Sequence, residues 1–309
     1  MSAPSRPTPL RHVAKRRWLA APGLLLVLAL AVDPIVGRTL PARLVASPNG
    51  GCPGDLAIDA SSRAALGVTA ERTVAAGAVT LAAWVVDPVG PVRGTVLVLH
   101  GVLDRKESHV GTARALAREG LRALAVDLRG HGCSTGSQLG YGVLEAADLR
   151  VVLDVLERDG TLRGPLGVWG TSYGAATALQ LASDERVRAV VAVAPFASLR
   201  QIVPAYARRL LPGVHWLIRD STLQGAITEA ARLAGFDADD ADSMRAICRT
   251  TAPVLLVHGT ADIHIPIEHS EAILAARPTG TELVRVAGVD HLSIGGGERA
   301  VAFLATALR

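Results

Sequence analysis

The residue whose type and position most clearly indicate chemical reactivity is Ser172, at the centre of the pentapeptide GTSYG at residues 170–174. An apolar run, Leu166–Trp169, precedes it, and a helical pattern, Tyr173–Ala182, follows it. A serine on a sharp turn between a strand and a helix presents its hydroxyl to solvent, and the turn closes only with small neighbours. The helix N-terminus favours negative charge beside that hydroxyl. The pattern predicts that Ser172 is a nucleophile.

A serine nucleophile needs a base that is oriented by an acid, and candidates for both follow later predicted strands. His291 comes after the run Glu282–Val286, and Asp262 comes after the run Pro253–His258. The order serine, acid, base is one of the known chain orders of this triad. Asp290 is the rival acid, but a residue adjacent to the histidine would struggle to reach its Nδ1 atom. We therefore expect Asp262 to be the acid and His291 the base.

Acyl transfer also needs donors for the negative oxygen that develops on the attacked carbonyl. His100 and Gly101 follow the apolar run Thr95–Leu99, and a glycine there lets the backbone turn an N–H toward the serine. The backbone N–H groups of Val102 and Tyr173 are accordingly the expected oxyanion hole.

These residues all follow predicted strands, which alternate regularly with predicted helices from about residue 68 onward. Continuous apolar runs predict strands buried on both faces, and the amphipathic runs between them predict helices. The predicted fold class is α/β, with a mostly parallel sheet covered by helices on both faces. Ligands bind such sheets beyond the carboxyl ends of the strands. The strands are expected at Thr73–Val86 (two, antiparallel), Thr95–Leu99, Leu121–Val126, Leu166–Trp169, Val187–Ala194, Pro253–His258 and Glu282–Val286, and the helices at Ser108–Arg118, Glu145–Arg158, Tyr173–Ala182, Ile267–Ala276 and Glu298–Ala307.

The alternation is interrupted at residues 199–250, which hold helix-like segments and no convincing strand. We interpret this stretch as a small helical cap over the edge of the sheet. Its aspartates at 237–242 are typical of a solvated turn and helix N-cap. His258, His264 and His269 lie near one another in sequence, but their context does not favour a metal site, and no metal is expected.

Together these motifs resemble the α/β-hydrolase superfamily, particularly its lysophospholipase-like and serine-aminopeptidase-like (S33-type) group. The likeness covers about residues 75–309 and includes the segment DLRGHGCS at residues 127–134. It implies the α/β-hydrolase fold and a serine hydrolase that needs no cofactor. It also implies that the 127–134 segment is a structural loop, with Arg129 and His131 as scaffold.

The expected reaction is cleavage of a carboxylic ester of a small molecule, with a lipid-like ester among the candidates, through an acyl-enzyme on Ser172. A peptidase or amidase, a thioesterase and an acyltransferase share the same triad and remain alternatives. An alternative of another class is a non-catalytic protein of this fold that binds a ligand or partner.

The charge of the chain is concentrated at its N-terminus. The net charge of the chain is +4, and residues 1–17 alone contain five basic residues. The remaining chain is therefore close to neutral, and nucleic acid is not an expected partner. Trp18–Val32 then carries no charge for fifteen residues. An uncleaved membrane anchor, a cleaved signal with a small-x-small site at residues 29–31, and a buried or peripheral helix are the three interpretations.

The expected organisation follows from this segment. Residues 1–17 are a basic cytoplasmic tail, 18–37 a signal or anchor, 38–67 a linker with a short helix near its end, and 68–309 the catalytic domain. The positive-inside rule places that domain on the non-cytoplasmic side, exported or held at a membrane.

The three cysteines, Cys52, Cys133 and Cys248, show no metal-binding spacing. Cys52 and Cys248 could pair in an exported domain. Cys133 and Cys248 are otherwise expected to be isolated, small apolar residues.

Overall fold

The computed structural model describes residues 31–48, 60–213 and 215–309, and its central element is a sheet of eight strands. The strands are β1 (Ala70–Ala76), β2 (Val79–Val86), β3 (Gly94–Leu99), β4 (Leu121–Val126), β5 (Leu166–Thr171), β6 (Val187–Val193), β7 (Val254–Gly259) and β8 (Thr281–Val286). Their order is β1-β2-β4-β3-β5-β6-β7-β8. β2 is antiparallel to β1 and β4, and every pair from β4 to β8 in that order is parallel. The predicted α/β fold class with a mostly parallel sheet is confirmed.

Helices cover both faces of this sheet. The α-helices of the described residues are α1 (residues 31–45), α2 (Ala60–Ala65), α3 (Val110–Arg118), α4 (Val143–Arg158), α5 (Tyr173–Leu181), α6 (Leu199–Leu210), α7 (Asp220–Ala234), α8 (Ser243–Ile247), α9 (Glu268–Ala276) and α10 (Gly297–Ala307). The helix expected at Ser108–Arg118 begins as a 3₁₀ helix, Lys106–His109, and becomes α3 only at Val110.

Two hydrophobic cores explain why the strands are apolar on both sides. Residues of α3 and α10, such as Leu116 and Leu304, pack with one face of the sheet. Residues of α4, α5 and α9, such as Leu153, Leu179 and Ile273, pack with the other face. Every residue of β3 and β7 is buried, as expected for strands covered on both faces.

The predicted cap is too long at its carboxyl end. After β6 the described chain forms α6, the 3₁₀ helix His215–Leu217 and α7, with no strand among them, as the sequence predicts. The next helix, α8, instead belongs to the main core, because Ala246 and Ile247 are fully buried in the cluster that α4 and α5 share. A short amphipathic helix does not reveal by its pattern which of two cores it joins.

The N-terminal part of the chain differs from the predicted organisation. Residues 31–45 form one helix, so the expected boundary between an anchor and a linker at residues 37 and 38 lies inside α1. Part of the predicted linker is therefore helical, and α2 agrees with the short helix expected near its end. Most of the segment 18–37, and the whole tail 1–17, lie outside the described residues. Within the described residues, none of the helices combines the length and apolarity that crossing a bilayer requires.

The cysteines also differ from expectation. Cys248 is a free, exposed thiol, so the pairing of Cys52 with Cys248 is wrong. Cys133 is disulfide-bonded, and its interpretation as an isolated apolar residue is wrong as well. The spacing of three cysteines in sequence contains no information on which two approach each other in space.

Candidate active site

Ser172 occupies the turn that joins β5 to α5. Its backbone has φ 54° and ψ −112°, in a region that residues with a Cβ rarely adopt. A Cβ on Gly170 would lie 2.1 Å from the carbonyl oxygen of Gly174, and one on Gly174 would lie 2.5 Å from the carbonyl oxygen of His100. Only glycine fits these two positions, so the predicted tight turn has a direct steric cause. The Ser172 N–H donates to the Val193 carbonyl at 2.7 Å and holds the turn in place.

His291 is within hydrogen-bond reach of both other members of the predicted triad. Its Nε2 atom lies 3.0 Å from Ser172 Oγ, and its Nδ1 atom lies 2.6 Å from Asp262 Oδ2. These distances fit a tautomer in which Nδ1–H donates to the carboxylate and Nε2 accepts from the serine hydroxyl. The structure therefore brings the three residues together, although they are separated by up to 119 positions in the chain.

The loops after β7 and β8 are packed directly on each other, and this contact sets the distance from Asp262 to His291. A Cβ on Gly259 would lie 2.2 Å from the Val289 carbonyl oxygen. The Ala261 N–H donates to that same oxygen at 3.0 Å. Glycine at the end of β7 thus allows the acid loop and the base loop to meet.

Asp262 is buried and well supplied with donors. Its Oδ1 atom accepts from the backbone N–H groups of His264 at 2.9 Å and Ile265 at 2.8 Å. Burial raises the pKa of the Asp262 carboxyl, but hydrogen bonds from His258 and His291 and from the Ile265 N–H outweigh it, so the pKa lies far below its usual range. Asp262 is an ionised carboxylate at neutral pH, which suits it to stabilise an imidazolium.

The rival acid, Asp290, points elsewhere. Its Oδ1 atom accepts from the backbone N–H groups of Leu292 at 3.1 Å and Ser293 at 2.8 Å. It therefore caps the turn that follows His291, and the geometry favours Asp262 as the acid.

The segment after β3 is held against the serine by His100. His100 Nε2 accepts from the Leu128 N–H at 3.0 Å, so Nδ1 carries the proton and donates to the Gly101 carbonyl at 2.7 Å. Burial lowers the pKa of His100 to about 3, so the ring stays neutral. Because the N–H of a trans peptide points opposite to its C=O, the Val102 N–H faces away from His100. A Cβ on Gly101 would lie 3.5 Å from Ser172 Cβ, which places this peptide beside the serine.

The two N–H groups expected to form the oxyanion hole are available. Tyr173 is the first residue of α5, where a backbone N–H has no acceptor within the helix. Within the described ranges, the Val102 and Tyr173 N–H groups have no hydrogen-bond acceptor. Their role in holding an oxyanion stays a prediction.

A buried carboxyl group under the elbow was not foreseen from the sequence. Glu145, at the start of α4, accepts from the Tyr173 hydroxyl at 2.7 Å and from the N–H groups of Gly140 and Gly142, each at 2.8 Å. Burial raises the pKa of Glu145 despite these hydrogen bonds. The network ties the first residue of α5 to α4. A glutamate in the first turn of an amphipathic helix is typical of a solvated position, so the sequence carried no indication of this role.

The loop at residues 127–134 has the scaffold role that the resemblance implied. Asp127 accepts from Lys106 Nζ at 2.7 Å and from the Cys133 N–H at 2.9 Å. Arg129 forms a bidentate ion pair with Asp148 at 2.6 and 2.7 Å. His131 is fully buried. These side chains are used within the protein and hold the loop beside the site.

The cap reaches the triad through a contact that the sequence did not indicate. The His264 ring is stacked on His291, with ring centroids 5.4 Å apart. Arg209, near the end of α6, lies 2.7 Å from His264 Nδ1 through its Nη1 atom. Burial, then Arg209 and His291, lower the pKa of His264. A neutral histidine thus separates the guanidinium of the cap from the proposed base.

The three histidines considered for a metal site have separate partners. His258 lies 2.6 Å from Ser270 Oγ and 2.8 Å from the Ile265 carbonyl oxygen. His269 Nδ1 accepts from the Ala197 N–H at 3.2 Å. With His264 directed at the cap, their ring nitrogens do not converge on a common point.

Comparison with known proteins agrees with this fold. A family model described as "Serine aminopeptidase, S33" matches residues 90–249. The uncharacterized protein YqkD of Bacillus subtilis is 28% identical over 191 residues, which are 58% of each chain. The uncharacterized protein Rv2307c of Mycobacterium tuberculosis is 30% identical over 199 residues, or 63% of this chain and 62% of that protein. The chain thus spans about three fifths of the length of these relatives.

Among solved structures, an esterase of Pyrococcus furiosus superposes with a TM-score of 0.64 at 19% identity, covering 84% of this chain and 98% of the esterase. At that identity the match supports the fold.

Proposed function

The chain belongs to the S33 serine aminopeptidase family of the α/β-hydrolases, and from that premise we propose that it is a serine hydrolase that cleaves carboxylic esters through an acyl-enzyme on Ser172. The observation that carries the proposal is the unbroken hydrogen-bonded series from Ser172 Oγ to His291 Nε2 and from His291 Nδ1 to Asp262 Oδ2. A serine so arranged, on a strained turn at a helix N-terminus, is equipped for nucleophilic attack.

In the proposed first step, Ser172 Oγ attacks the ester carbonyl carbon while His291 Nε2 takes the hydroxyl proton. The carbonyl oxygen becomes an oxyanion held by the Val102 and Tyr173 N–H groups, and Asp262 stabilises the imidazolium. The tetrahedral intermediate then expels the alcohol, which leaves with the proton from His291, and the acyl group remains on Ser172.

In the second step a water molecule takes the place of the alcohol. His291 accepts a proton from water as its oxygen attacks the acyl carbon, and it returns that proton to Ser172 Oγ when the carboxylic acid leaves. The cycle needs no cofactor.

The surroundings of the triad favour an ester over a peptide with a free amino terminus. An aminopeptidase has to pair the substrate ammonium group with a carboxylate. Two carboxylates on the strand-end loops beside the triad are already engaged, since Asp104 lies 3.1 Å from His109 Nε2 and Asp290 accepts from two backbone N–H groups. The ester is therefore the proposed substrate class.

The test is steady-state hydrolysis of p-nitrophenyl esters of increasing acyl length, with an anilide, an aminoacyl anilide and a thioester measured in parallel. The proposal expects the esters to have the highest kcat/KM, and Ser172→Ala to abolish their turnover while the protein stays folded by circular dichroism. Preferential cleavage of the aminoacyl anilide or the thioester would identify a peptidase or a thioesterase instead. Turnover that survives in Ser172→Ala would contradict the proposal.

A further inference from the structure

Exposed apolar side chains are concentrated on the loops around the triad and on the cap. Eleven large hydrophobic side chains are exposed within the described residues. Seven of them lie on the loops around the triad or on residues 210–216 of the cap, called here the cap tip. The seven, called here the apolar face, are Val102, Leu103, Leu210, Leu211, Trp216, Ile263 and Leu292. Clusters of this kind, unlike apolar residues scattered singly, mark surfaces that contact something other than water.

A side-chain contact joins the active-site rim and the cap parts of the apolar face. Ile263 and Leu292 adjoin the proposed acid and base in sequence, and they are 66% and 83% exposed. Leu210 follows Arg209, whose guanidinium contacts His264, the residue after Ile263. The rim and the cap tip therefore meet at the contact between Arg209 and His264.

The cap tip also lies where the N-terminal segment joins the folded domain. Asp33 is buried and accepts from the Arg219 N–H at 2.9 Å, from its Nε at 2.9 Å and from its Nη2 at 2.7 Å. Arg219 is three residues from Trp216, which is 60% exposed. The uncharged run Trp18–Val32 ends one residue before Asp33.

The uncharged run lies close to the cap, because Asp33, the residue that follows the run, binds Arg219. With Asp33 bound to Arg219, a domain anchored by Trp18–Val32 has no spacer that could hold the cap away from the membrane surface.

We propose that the apolar face docks on the surface of an anionic phospholipid bilayer, with Trp216 and Leu210 at the depth of the headgroups. Tryptophan is favoured at that depth because its ring is apolar and its N–H is polar. The exposed side chain of Arg208 carries a guanidinium group that suits the lipid phosphates. Docking in this orientation presents the opening of the triad to the bilayer. If the proposed function holds, the substrate is then an acyl ester carried in the membrane.

The first test maps contact with lipid by fluorescence. The full chain in a Cys248→Ser background is reconstituted in vesicles of phosphatidylcholine with a minority of phosphatidylglycerol. An environment-sensitive dye is attached to Trp216→Cys or Leu210→Cys, with Val89→Cys as the control. Val89 is fully exposed and precedes β3, at the opposite edge of the sheet from the triad.

We expect nitroxide-labelled lipids to quench the dye at 216 and 210 and not at 89. Dyes at 216 and 210 that stay in water like the dye at 89 would overturn the proposal. So would dyes that are shielded from water without being quenched by the labelled lipid, because protein and not lipid would then cover this face.

The second test measures whether docking serves catalysis, and this part rests on the proposed function. Leu210→Ser, Leu211→Ser and Trp216→Ser are combined in one variant. The matched control combines three exposed apolar residues outside the apolar face, Val89→Ser, Val151→Ser and Leu233→Ser.

The cap variant is expected to hydrolyse a long-chain ester in vesicles at least about tenfold more slowly, since losing three apolar contacts weakens interfacial binding. Its rate on a water-soluble short-chain ester should be unchanged, and the control variant should match the wild type on both. A cap variant with wild-type rates on the vesicle ester would contradict docking. If the wild type hydrolyses neither ester, the proposed function fails, and the quenching result still decides the docking.

Discussion

Asp262 and Asp290 lie on neighbouring loops, and at the residue scale they differ in what their carboxylates contact. Asp262 is buried against the His291 ring and two backbone N–H groups. Asp290 is exposed and caps a turn. Only the first can fix the tautomer of His291, because only the first meets its Nδ1 atom.

Replacing these two carboxylates separately tests this distinction. Asp262→Asn should lower kcat by about 10³- to 10⁴-fold, because an amide in that position favours the wrong imidazole tautomer. Asp290→Asn, the matched control, should change kcat less than about threefold, as expected for a surface change away from the reacting atoms. The measurement is ester hydrolysis across pH, with folding followed by circular dichroism. Equal losses in the two variants would remove the basis for calling Asp262 the acid.

The carboxyl group of Asp262 also makes stability depend on pH in a stated direction. Because its pKa is lower in the folded protein than in the unfolded chain, where it is about 3.9, it stabilises the fold above that pH. This contribution is lost as pH falls further, through the folded pKa. The histidine and backbone donors around it are therefore part of the acid stability of the site.

At the scale of elements, the site depends on how closely β5, α5 and β3 approach at the elbow. Gly174 lies against the backbone at the end of β3, where a Cβ would meet the carbonyl oxygens of both His100 and Leu99 at 2.5 Å. No flexible side chain can move to make room there. The elements themselves would have to separate, and the serine would lose its position.

The elbow can be tested with two glycine substitutions in helices. Gly174→Ala should destabilise the fold by about 3 kcal/mol or more, because a methyl group is forced against backbone. For a chain of this size that is a fall in Tm of about 5 °C or more. Gly111→Ala in α3 is the control, since nothing lies within 4 Å of its added Cβ, and it should stabilise by about 0.4–1 kcal/mol. Thermal unfolding measures both, and a Gly174→Ala variant as stable as Gly111→Ala would contradict the packing described for the elbow.

The sequence predicted the elements that are buried on both faces better than those on the surface. β4 was expected at Leu121–Val126 and is found there, because five of its six residues are apolar and such a run has few other places in a folded core. α8 was assigned to the cap and lies in the main core. Its five residues contain too little periodicity to show which surface it covers.

The same contrast holds within the site. Ser172, Asp262 and His291 were foreseen because each follows a strand in a recognisable order, and the structure brings them together. Glu145 and Arg209 were not foreseen. Their residue types are typical of solvated helix positions, and only the packing of α4 and α6 shows that one is buried under Tyr173 and the other reaches His264.

At the scale of the whole molecule, the site exists only when the chain is folded. The proposed oxyanion loop, nucleophile, acid and base follow β3, β5, β7 and β8, four strands that neighbour one another around β6 in the sheet. Parallel strands bring their carboxyl ends to one edge, so residues more than a hundred positions apart become neighbours. An isolated serine in the unfolded chain has no base and no donors for an oxyanion, and it is a poor nucleophile.

Because the site forms only on folding, the reactivity of Ser172 in the native and in the unfolded chain is the most direct measure of it. The full chain is treated with a fluorophosphonate probe, native and after unfolding in urea, and the adduct is located by peptide mass spectrometry. One adduct, on Ser172, is expected in the native protein, and none in the unfolded chain or in Ser172→Ala. A native, folded protein that remains unlabelled, or one labelled at a residue other than Ser172, would contradict this expectation.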